Sequence, residues 1–139
     1  MEFVGCWIAL EDVRAGSGEL QYYDGSHTIP EYVWFDRSRA RPAGLDDDRD
    51  FLRWVREQSE RAGHPLVRFL PRAGDVLIWH ADLVHGGAPR QLAAATRKSL
   101  VTHFCPIDVD PDYLESAPGA RKLEHAPGCW YCHSPRPPG

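Results

Sequence analysis

The hydrophobic pattern of this chain consists of five short apolar segments and one amphipathic segment. The apolar segments are residues 3–10, 19–23, 66–70, 75–80 and 97–105, which are rich in β-branched and aromatic side chains. Runs of this length and composition predict β-strands. Residues 3–10 are apolar almost throughout, which predicts a strand buried on both faces.

Residues 46–62 form the amphipathic segment and predict the one long helix. Aspartates at positions 46–48 can cap its N-terminus, and Gly63 followed by Pro65 ends it. Its apolar stripe comprises Phe51, Leu52, Trp54 and Val55. A polar loop with two glycines joins residues 3–10 to residues 19–23, and this connection predicts a hairpin-like pair with a longer loop.

Several short strands with a single inserted helix predict an all-β sandwich or barrel with a helical insertion. The chain has 139 residues, enough for one domain and too few for two ordinary ones. After Pro106 the sequence becomes rich in aspartate and proline, and residues 134–139 (SPRPPG) are predicted to be a disordered tail. The predicted domain therefore covers residues 1–133.

The composition excludes several classes of partner. Hydrophobic residues make up 42% and charged residues 26% of the chain, as in soluble globular proteins. A net charge of −4 provides no basic surface for nucleic acid or membranes, and no apolar run is long enough to span a bilayer. No secretory signal pattern is present, and the four cysteines form no disulfide framework. We therefore expect a cytoplasmic protein without nucleic acid or membrane partners.

Side chains that can bind a metal are concentrated between residues 74 and 99. His80, Asp82 and His85 follow a predicted strand, and imidazole and carboxylate groups are the ligands of non-haem Fe(II) sites. The glycines at 86 and 87 break the strand and leave open access. The pattern indicates a metal-capable imidazole at a strand end.

A candidate anion site follows about a dozen residues later. Arg97 and Ser99 stand two residues apart on a predicted strand and therefore share a face. The planar guanidinium suits a carboxylate through two hydrogen bonds, and the serine hydroxyl can add a third donor. Val101 lies on the same face, which predicts that this face is buried.

The motifs in this region resemble one family. GDVLIWHADLVHGG (74–87) followed by TRKSLVTHFCP (96–106) resembles the C-terminal core of the phytanoyl-CoA dioxygenase family, whose members are non-haem Fe(II), 2-oxoglutarate-dependent oxygenases. GCWIALEDV (5–13) and GELQYYDGSH (18–27) resemble the preceding strand pair, in the family's order. The resemblance implies a partial double-stranded β-helix, related to jelly-roll and cupin folds, that hydroxylates a small organic substrate.

The resemblance also implies roles for individual residues. His85 matches the distal iron ligand, and Arg97, assisted by Ser99, matches the arginine that binds 2-oxoglutarate. Trp7 occupies a strand whose aromatic side chain lines the co-substrate pocket, and His27 stands in the turn that matches the family's P-G-S-H. The implied cofactors are Fe(II) and 2-oxoglutarate.

The position of the second ligand pair leaves alternatives open. His80 and Asp82 form an H-x-D, but the family's metal-binding H-x-D lies upstream of the strand that contains Trp7. We therefore expect this chain to be the C-terminal part of an oxygenase domain, inactive alone, with residues 3–10 exposed as a sheet edge that favours self-association. The alternatives are a metal protein that uses His80, Asp82 and His85, and a non-catalytic β-sandwich binding module with an anion pocket.

Overall fold

The structure is a computed structural model that describes residues 3–34, 47–106, 108–109, 121–127 and 129–133. Within these ranges the chain forms eight β-strands, one α-helix and one short 3₁₀ helix. The strands are β1 (Val4–Ala9), β2 (Leu20–Tyr23), β3 (Leu66–Phe69), β4 (Val76–His80), β5 (His85–Gly87), β6 (Ser99–Phe104), β7 (Arg121–Ala126) and β8 (Cys129–His133). The helix, α1, spans Arg49–Arg61, and the 3₁₀ helix spans Ser26–Thr28. The prediction of a mostly β protein with one long helix is confirmed for the described ranges.

Two compact units divide the chain, one containing residues 3–103 and the other residues 104–139. The first unit contains two three-stranded sheets, with strand orders β4-β1-β6 and β3-β2-β5. β1 pairs antiparallel with β4 from Val4–His80 to Ile8–Val76, and β2 pairs antiparallel with both β3 and β5. In the second unit, β7 and β8 form an antiparallel pair with an irregularity between Glu124 and Ala126.

The predicted hairpin between the first two strands is wrong, because β1 and β2 belong to different sheets. The loop between them crosses from one sheet to the other, and the Val13 amide donates to the Pro71 carbonyl at 2.9 Å on the way. The expectation that residues 3–10 form an exposed edge is also wrong. β1 is the middle strand of its sheet, and both of its neighbours come later in the chain.

Burial along β1 is one-sided, which corrects the prediction that both faces are buried. Trp7 and Ala9 are 2% and 1% exposed, whereas Val4 on the other face is 40% exposed. The ring of Trp7 packs edge-on against Phe69, with ring centroids 5.8 Å apart. The core cluster comprises Trp7, Ala9, Val13, Leu20 and Trp79, with Phe69, Leu77 and Leu83 packed against it. The core therefore lies against the inner faces of the two sheets.

Residues 75–80 and 97–105 contain β4 and β6, and of these two strands only β4 contributes side chains to the core cluster. Trp79 is buried, but Ile78, on the opposite face of the strand, is 66% exposed. In β6, Leu100, Val101 and Phe104 are 52%, 46% and 58% exposed. β6 lies at the end of its strand order, so its side chains have neighbours on one side only. The buried face predicted from Val101 is therefore wrong.

The helix matches its prediction closely, although residue 46 lies outside the described ranges. Asp48 is the N-cap, but the carboxylate that accepts the Arg49 amide, at 3.0 Å, belongs to Asp47. At the other end Gly63 takes a φ of 77°, a conformation that glycine adopts easily and that stops the helix. Phe51 and Trp54 from the helix both contact Tyr32, so aromatic packing holds this part of the chain.

Some predicted irregular stretches are strands. Residues 85–87, predicted as a break, form β5, and residues 121–126 and 129–133 form β7 and β8. The predicted disordered tail, residues 134–139, lies outside the described ranges. Within those ranges, no helix combines the length and the apolar character needed to cross a membrane.

Candidate functional site

His85 lies at the start of β5, on the side of the second sheet that faces the core. In the pairing with β2, His85 is opposite Tyr22 and Gly87 is opposite Leu20. Directly opposed residues share a face of a sheet, and so do residues two apart on one strand. Because Leu20 is buried in the core cluster, His85 points to the same inner side. Its ring contacts that of Trp79, with centroids 5.0 Å apart, although His85 itself remains exposed at the rim.

The hydrogen bond of the His85 ring fixes the tautomer of the neutral side chain. Nδ1 lies 2.7 Å from the Leu83 carbonyl oxygen, and a carbonyl oxygen can only accept, so Nδ1 carries the proton. Nε2 then keeps a lone pair. Histidines that bind metals commonly donate their other ring N–H to a backbone carbonyl or a carboxylate, which orients the ring. His85 is therefore prepared to bind a metal through Nε2.

His80 has the opposite arrangement. It follows Trp79 in β4 and therefore points to the outer face of the first sheet. The Asp82 backbone N–H donates to His80 Nδ1 at 3.2 Å, so the proton of the neutral ring resides on Nε2. The Asp82 carboxylate lies 3.6 Å from the same Nδ1, and the His27 ring is 5.4 Å away between centroids.

His80, Asp82 and His85 are therefore not brought together on one face. Over the described part of the chain, no group of three His, Cys, Asp or Glu side chains is placed to hold a metal ion. His27, on the short 3₁₀ helix, contacts His80 rather than His85. The His27–His80 pair therefore lies on the opposite side of β4 from His85, which contacts Trp79.

Arg97 lies just before β6 and lines an open depression of about 490 Å³. The lining residues are Ser17, Gly18, Gly87, Ala88, Arg90, Ala95, Thr96, Arg97 and Lys98. Hydrogen bonds tie the loops that form its walls together. The amides of Gln91 and Leu92 donate to the Gly16 carbonyl at 2.8 and 2.9 Å, and the Ala88 amide donates to the Glu19 carbonyl at 2.8 Å.

Of the three cationic side chains at this depression, two already have partners. The Arg90 guanidinium donates through Nε to the Leu92 carbonyl at 3.2 Å and through Nη2 to the Ala93 carbonyl. Lys98 Nζ lies 3.5 Å from the Glu11 carboxylate. Arg97 is half-buried, and the described residues give its guanidinium no hydrogen bond or ion pair. Arg97 is thus available for an anion.

The remaining predicted site residues lie apart from this depression. Trp7 is a core residue, and Ser99 is half-buried at the start of β6. Neither belongs to the described lining, and neither do His27 and His85. Gly87 does line the depression, and it stands two residues after His85 on β5. β5 therefore links His85 to the depression.

Sequence reasoning missed two carboxylates that hold the walls of the depression. Glu19 is fully buried, accepts the Gly16 amide at 2.8 Å and lies 3.2 Å from Arg68 Nη1. Hydrogen bonds from its own backbone N–H and from Gly16, with the Arg68 charge, hold the pKa of Glu19 below its usual value, although burial acts against this. The only signal in the sequence is an acidic residue between Gly18 and an apolar strand.

Glu11 is the second of these carboxylates. The Lys98 amide donates to its Oε1 at 2.9 Å. The Thr96 side chain is the largest cause that lowers the pKa of Glu11, followed by the bond from the Lys98 amide. Glu11 is therefore held in its ionised form by groups that belong to the residues on either side of Arg97.

Comparisons with known proteins give similar solved structures and one matching family model. Among solved structures, the chain is similar to AviO1 from Streptomyces viridochromogenes Tue57, with 23% identity and a TM-score of 0.49, covering 79% of this chain and 39% of that one. It is also similar to two proteins from nogalamycin biosynthesis, described as non-heme alpha-ketoglutarate-dependent enzymes. The first is the epimerase SnoN, with 23% identity and a TM-score of 0.48, covering 85% of this chain and 42% of that one. The second is the carbocyclase SnoK, with 25% identity and a TM-score of 0.42, covering 73% of this chain and 35% of that one.

The chain thus spans about two fifths of the length of these structures. No curated protein gives a significant match. The family model described as phytanoyl-CoA dioxygenase (PhyH) matches residues 1–98, well over half of the chain, and includes the strand that carries His85 and the residue Arg97. The chain belongs to the phytanoyl-CoA dioxygenase family.

Proposed function

We propose that this chain forms part of an Fe(II)/2-oxoglutarate-dependent oxygenase that hydroxylates a small organic substrate. Family membership supports the reaction class. We further propose that the sheets β4-β1-β6 and β3-β2-β5 are the two facing halves of a partial double-stranded β-helix. The observation that carries the proposal is the His85 ring, whose Nδ1–H donates to the Leu83 carbonyl and leaves Nε2 free as a ligand.

His85 fits the implied iron as one ligand. A facial-triad site needs two histidines and one carboxylate, and the described residues do not supply such a group by themselves. The family's H-x-D, which precedes the strand of Trp7, would supply the other two ligands. When bound, Fe(II) with 2-oxoglutarate supplies the oxidising chemistry, and the protein supplies orientation.

Arg97 would bind the distal carboxylate of 2-oxoglutarate. Its guanidinium has no partner in the described part of the chain and faces an open depression, so binding would not break an existing ion pair. A planar guanidinium can donate two parallel hydrogen bonds to a carboxylate, which fixes orientation as well as position. Trp7, Ser99 and His27 lie outside the described lining of this depression, and their proposed places around the co-substrate rest on the resemblance alone.

Succinate formation from 2-oxoglutarate tests the proposal. A polypeptide that carries the H-x-D before β1 should release succinate when Fe(II) is added, and residues 1–139 alone should not. In the active polypeptide, His85→Ala should abolish turnover, whereas His103→Ala, at an exposed position of β6, should leave it unchanged. Turnover by residues 1–139 that Asp82→Ala abolishes would instead support a metal site built on His80, Asp82 and His85.

A non-catalytic anion-binding module is a second candidate. The Arg97 guanidinium, which has no partner among the described residues, and the open depression favour it without any need for a metal. Calorimetric titration with 2-oxoglutarate separates the two functions. Binding that Arg97→Ala removes, together with no succinate from the longer polypeptide, would support the binding module over the oxygenase.

A further inference from the structure

Glu11 contacts both sequence neighbours of Arg97. Its Oε1 accepts the Lys98 amide at 2.9 Å, and its Oε2 lies 3.5 Å from Lys98 Nζ. The Thr96 side chain also acts on this carboxylate and lowers its pKa. The Glu11 side chain is only 25% exposed, so these contacts are partly shielded from water.

A backbone bond reinforces this attachment. The Leu10 amide donates to the Lys98 carbonyl at 3.0 Å. Leu10 and Glu11, the two residues that follow β1, therefore bind the carbonyl and the amide of Lys98 respectively. The guanidinium of Arg97 has no partner of its own among the described residues. The position of Arg97 therefore depends on how firmly its two neighbours are held.

We infer that Glu11 is a positioning residue that fixes the segment of Arg97 so that its guanidinium is prepared to bind a dicarboxylate. This inference rests on the proposed function for the identity of the ligand, but not for the role of Glu11 in ordering Arg97. A cation that is ordered before binding loses less conformational freedom when the ligand arrives, and affinity rises accordingly.

Glu11 also affects the charge at the depression. It pairs with the exposed ammonium group of Lys98 at 3.5 Å, whereas the guanidinium of Arg97 has no partner among the described residues. The contacts with Thr96 and Lys98 lower the pKa of Glu11 and so stabilise its ionised form. One side chain thus orders the segment and leaves Arg97 as the available cation beside it.

The test uses residues 1–139 with two substitutions of Glu11 and one matched control. Glu11→Gln keeps a carbonyl oxygen for the Lys98 amide but loses the charge, whereas Glu11→Ala removes every contact. Glu57→Gln makes the same chemical change at an exposed position of α1. Circular dichroism establishes that each variant is folded.

Two measurements are made on each protein. Nitrogen-15 relaxation of the Arg97 Nε–H group reports its order without any ligand, and titration with 2-oxoglutarate reports affinity. We expect Glu11→Ala to lower the Arg97 order parameter and to weaken binding by about 3- to 10-fold, the loss expected from one freed side chain. The order parameter and the affinity of Glu11→Gln should lie between those of Glu11→Ala and the wild-type chain. Both quantities should match the wild-type values in Glu57→Gln.

The two measurements separate the two claims. An unchanged Arg97 order parameter in both Glu11 variants would overturn the inference, whatever the titration shows. If Arg97 loosens while even the wild-type chain fails to bind 2-oxoglutarate, the positioning role stands and the proposed ligand is wrong. If Arg97 loosens and affinity stays constant, Glu11 orders the segment without preparing it for the ligand, and the inference fails.

Discussion

Replacing Gly5 with alanine tests how the packing of the first sheet supports His85. Gly5 in β1 is paired with Trp79 in β4, and the indole ring lies across it. A Cβ on residue 5 would lie 2.4 Å from Trp79 Cε2 and 2.6 Å from Cζ2, which is far inside normal contact. The indole must therefore move, and it is the ring that contacts His85.

The cost follows from the burial of Trp79, which is only 7% exposed and packs within the core cluster. Over-packing a closed core costs about 1–3 kcal/mol. Urea denaturation followed by tryptophan fluorescence should therefore show a lower midpoint with an unchanged slope. The displaced indole should also shift the ring resonances of His85 in an NMR spectrum.

Gly86→Ala is the matched control. A Cβ at this position of β5 meets nothing within 4 Å, so its effect should stay within about 0.5 kcal/mol. The loss of stability in the double variant Gly5→Ala/Trp79→Leu should be smaller than the sum of the two single losses, because the shorter side chain leaves room for the new methyl group. A Gly5→Ala protein that unfolds at the wild-type urea concentration would refute the packing argument.

Three further effects are expected. Trp7→Ala should destabilise the fold by about 3–5 kcal/mol in urea, and a loss under 1 kcal/mol would contradict its place in the core. Ser26→Ala should cost about 1–3 kcal/mol, because it removes the acceptor of the Val84 amide at 2.8 Å, and unchanged exchange of that amide would count against it. Since the pKa of Glu19 lies below its usual 4.5, its stabilising effect is complete above pH 4.5 and is lost as the pH falls through the folded-state value. Protection of the Gly16 amide, measured as its exchange rate relative to the intrinsic rate at each pH, should therefore fall in acid, and Glu19→Gln should remove this pH dependence.

Local pattern predicted the elements of this fold but not how they pair. The apolar run at residues 66–70 became β3 and the amphipathic run at residues 46–62 became α1, because such periodicities depend on neighbouring residues. The pairing of β1 with β4 joins segments about seventy residues apart, and no local signal encodes it. β5 was not predicted for a similar reason. Its two glycines indicate a strand break locally, and only their pairing with β2 makes them part of a strand.

The candidate site shows the same division. His85 and Arg97 could be singled out because their residue types and spacing match a family pattern. The groups that contact these two side chains could not be predicted. The Leu83 carbonyl orients His85, but every residue has a backbone carbonyl, so the sequence does not mark this one. Glu11 lies 87 residues from Lys98 in the sequence, so nothing near Arg97 in the chain indicates that a carboxylate holds its neighbour.

The choice among the three cations of the depression shows why position alone does not identify a binding residue. Arg90, Arg97 and Lys98 stand within nine positions of one another, and charge alone does not distinguish them. The fold distinguishes them, because backbone carbonyls occupy Arg90 and the Glu11 carboxylate occupies Lys98. Among the described residues, an anion that enters the depression therefore meets one guanidinium without a hydrogen bond or ion pair, that of Arg97, beside two cations that also make contacts in its walls. Removing either wall contact should weaken binding by loosening Arg97 rather than by removing a direct contact with the anion.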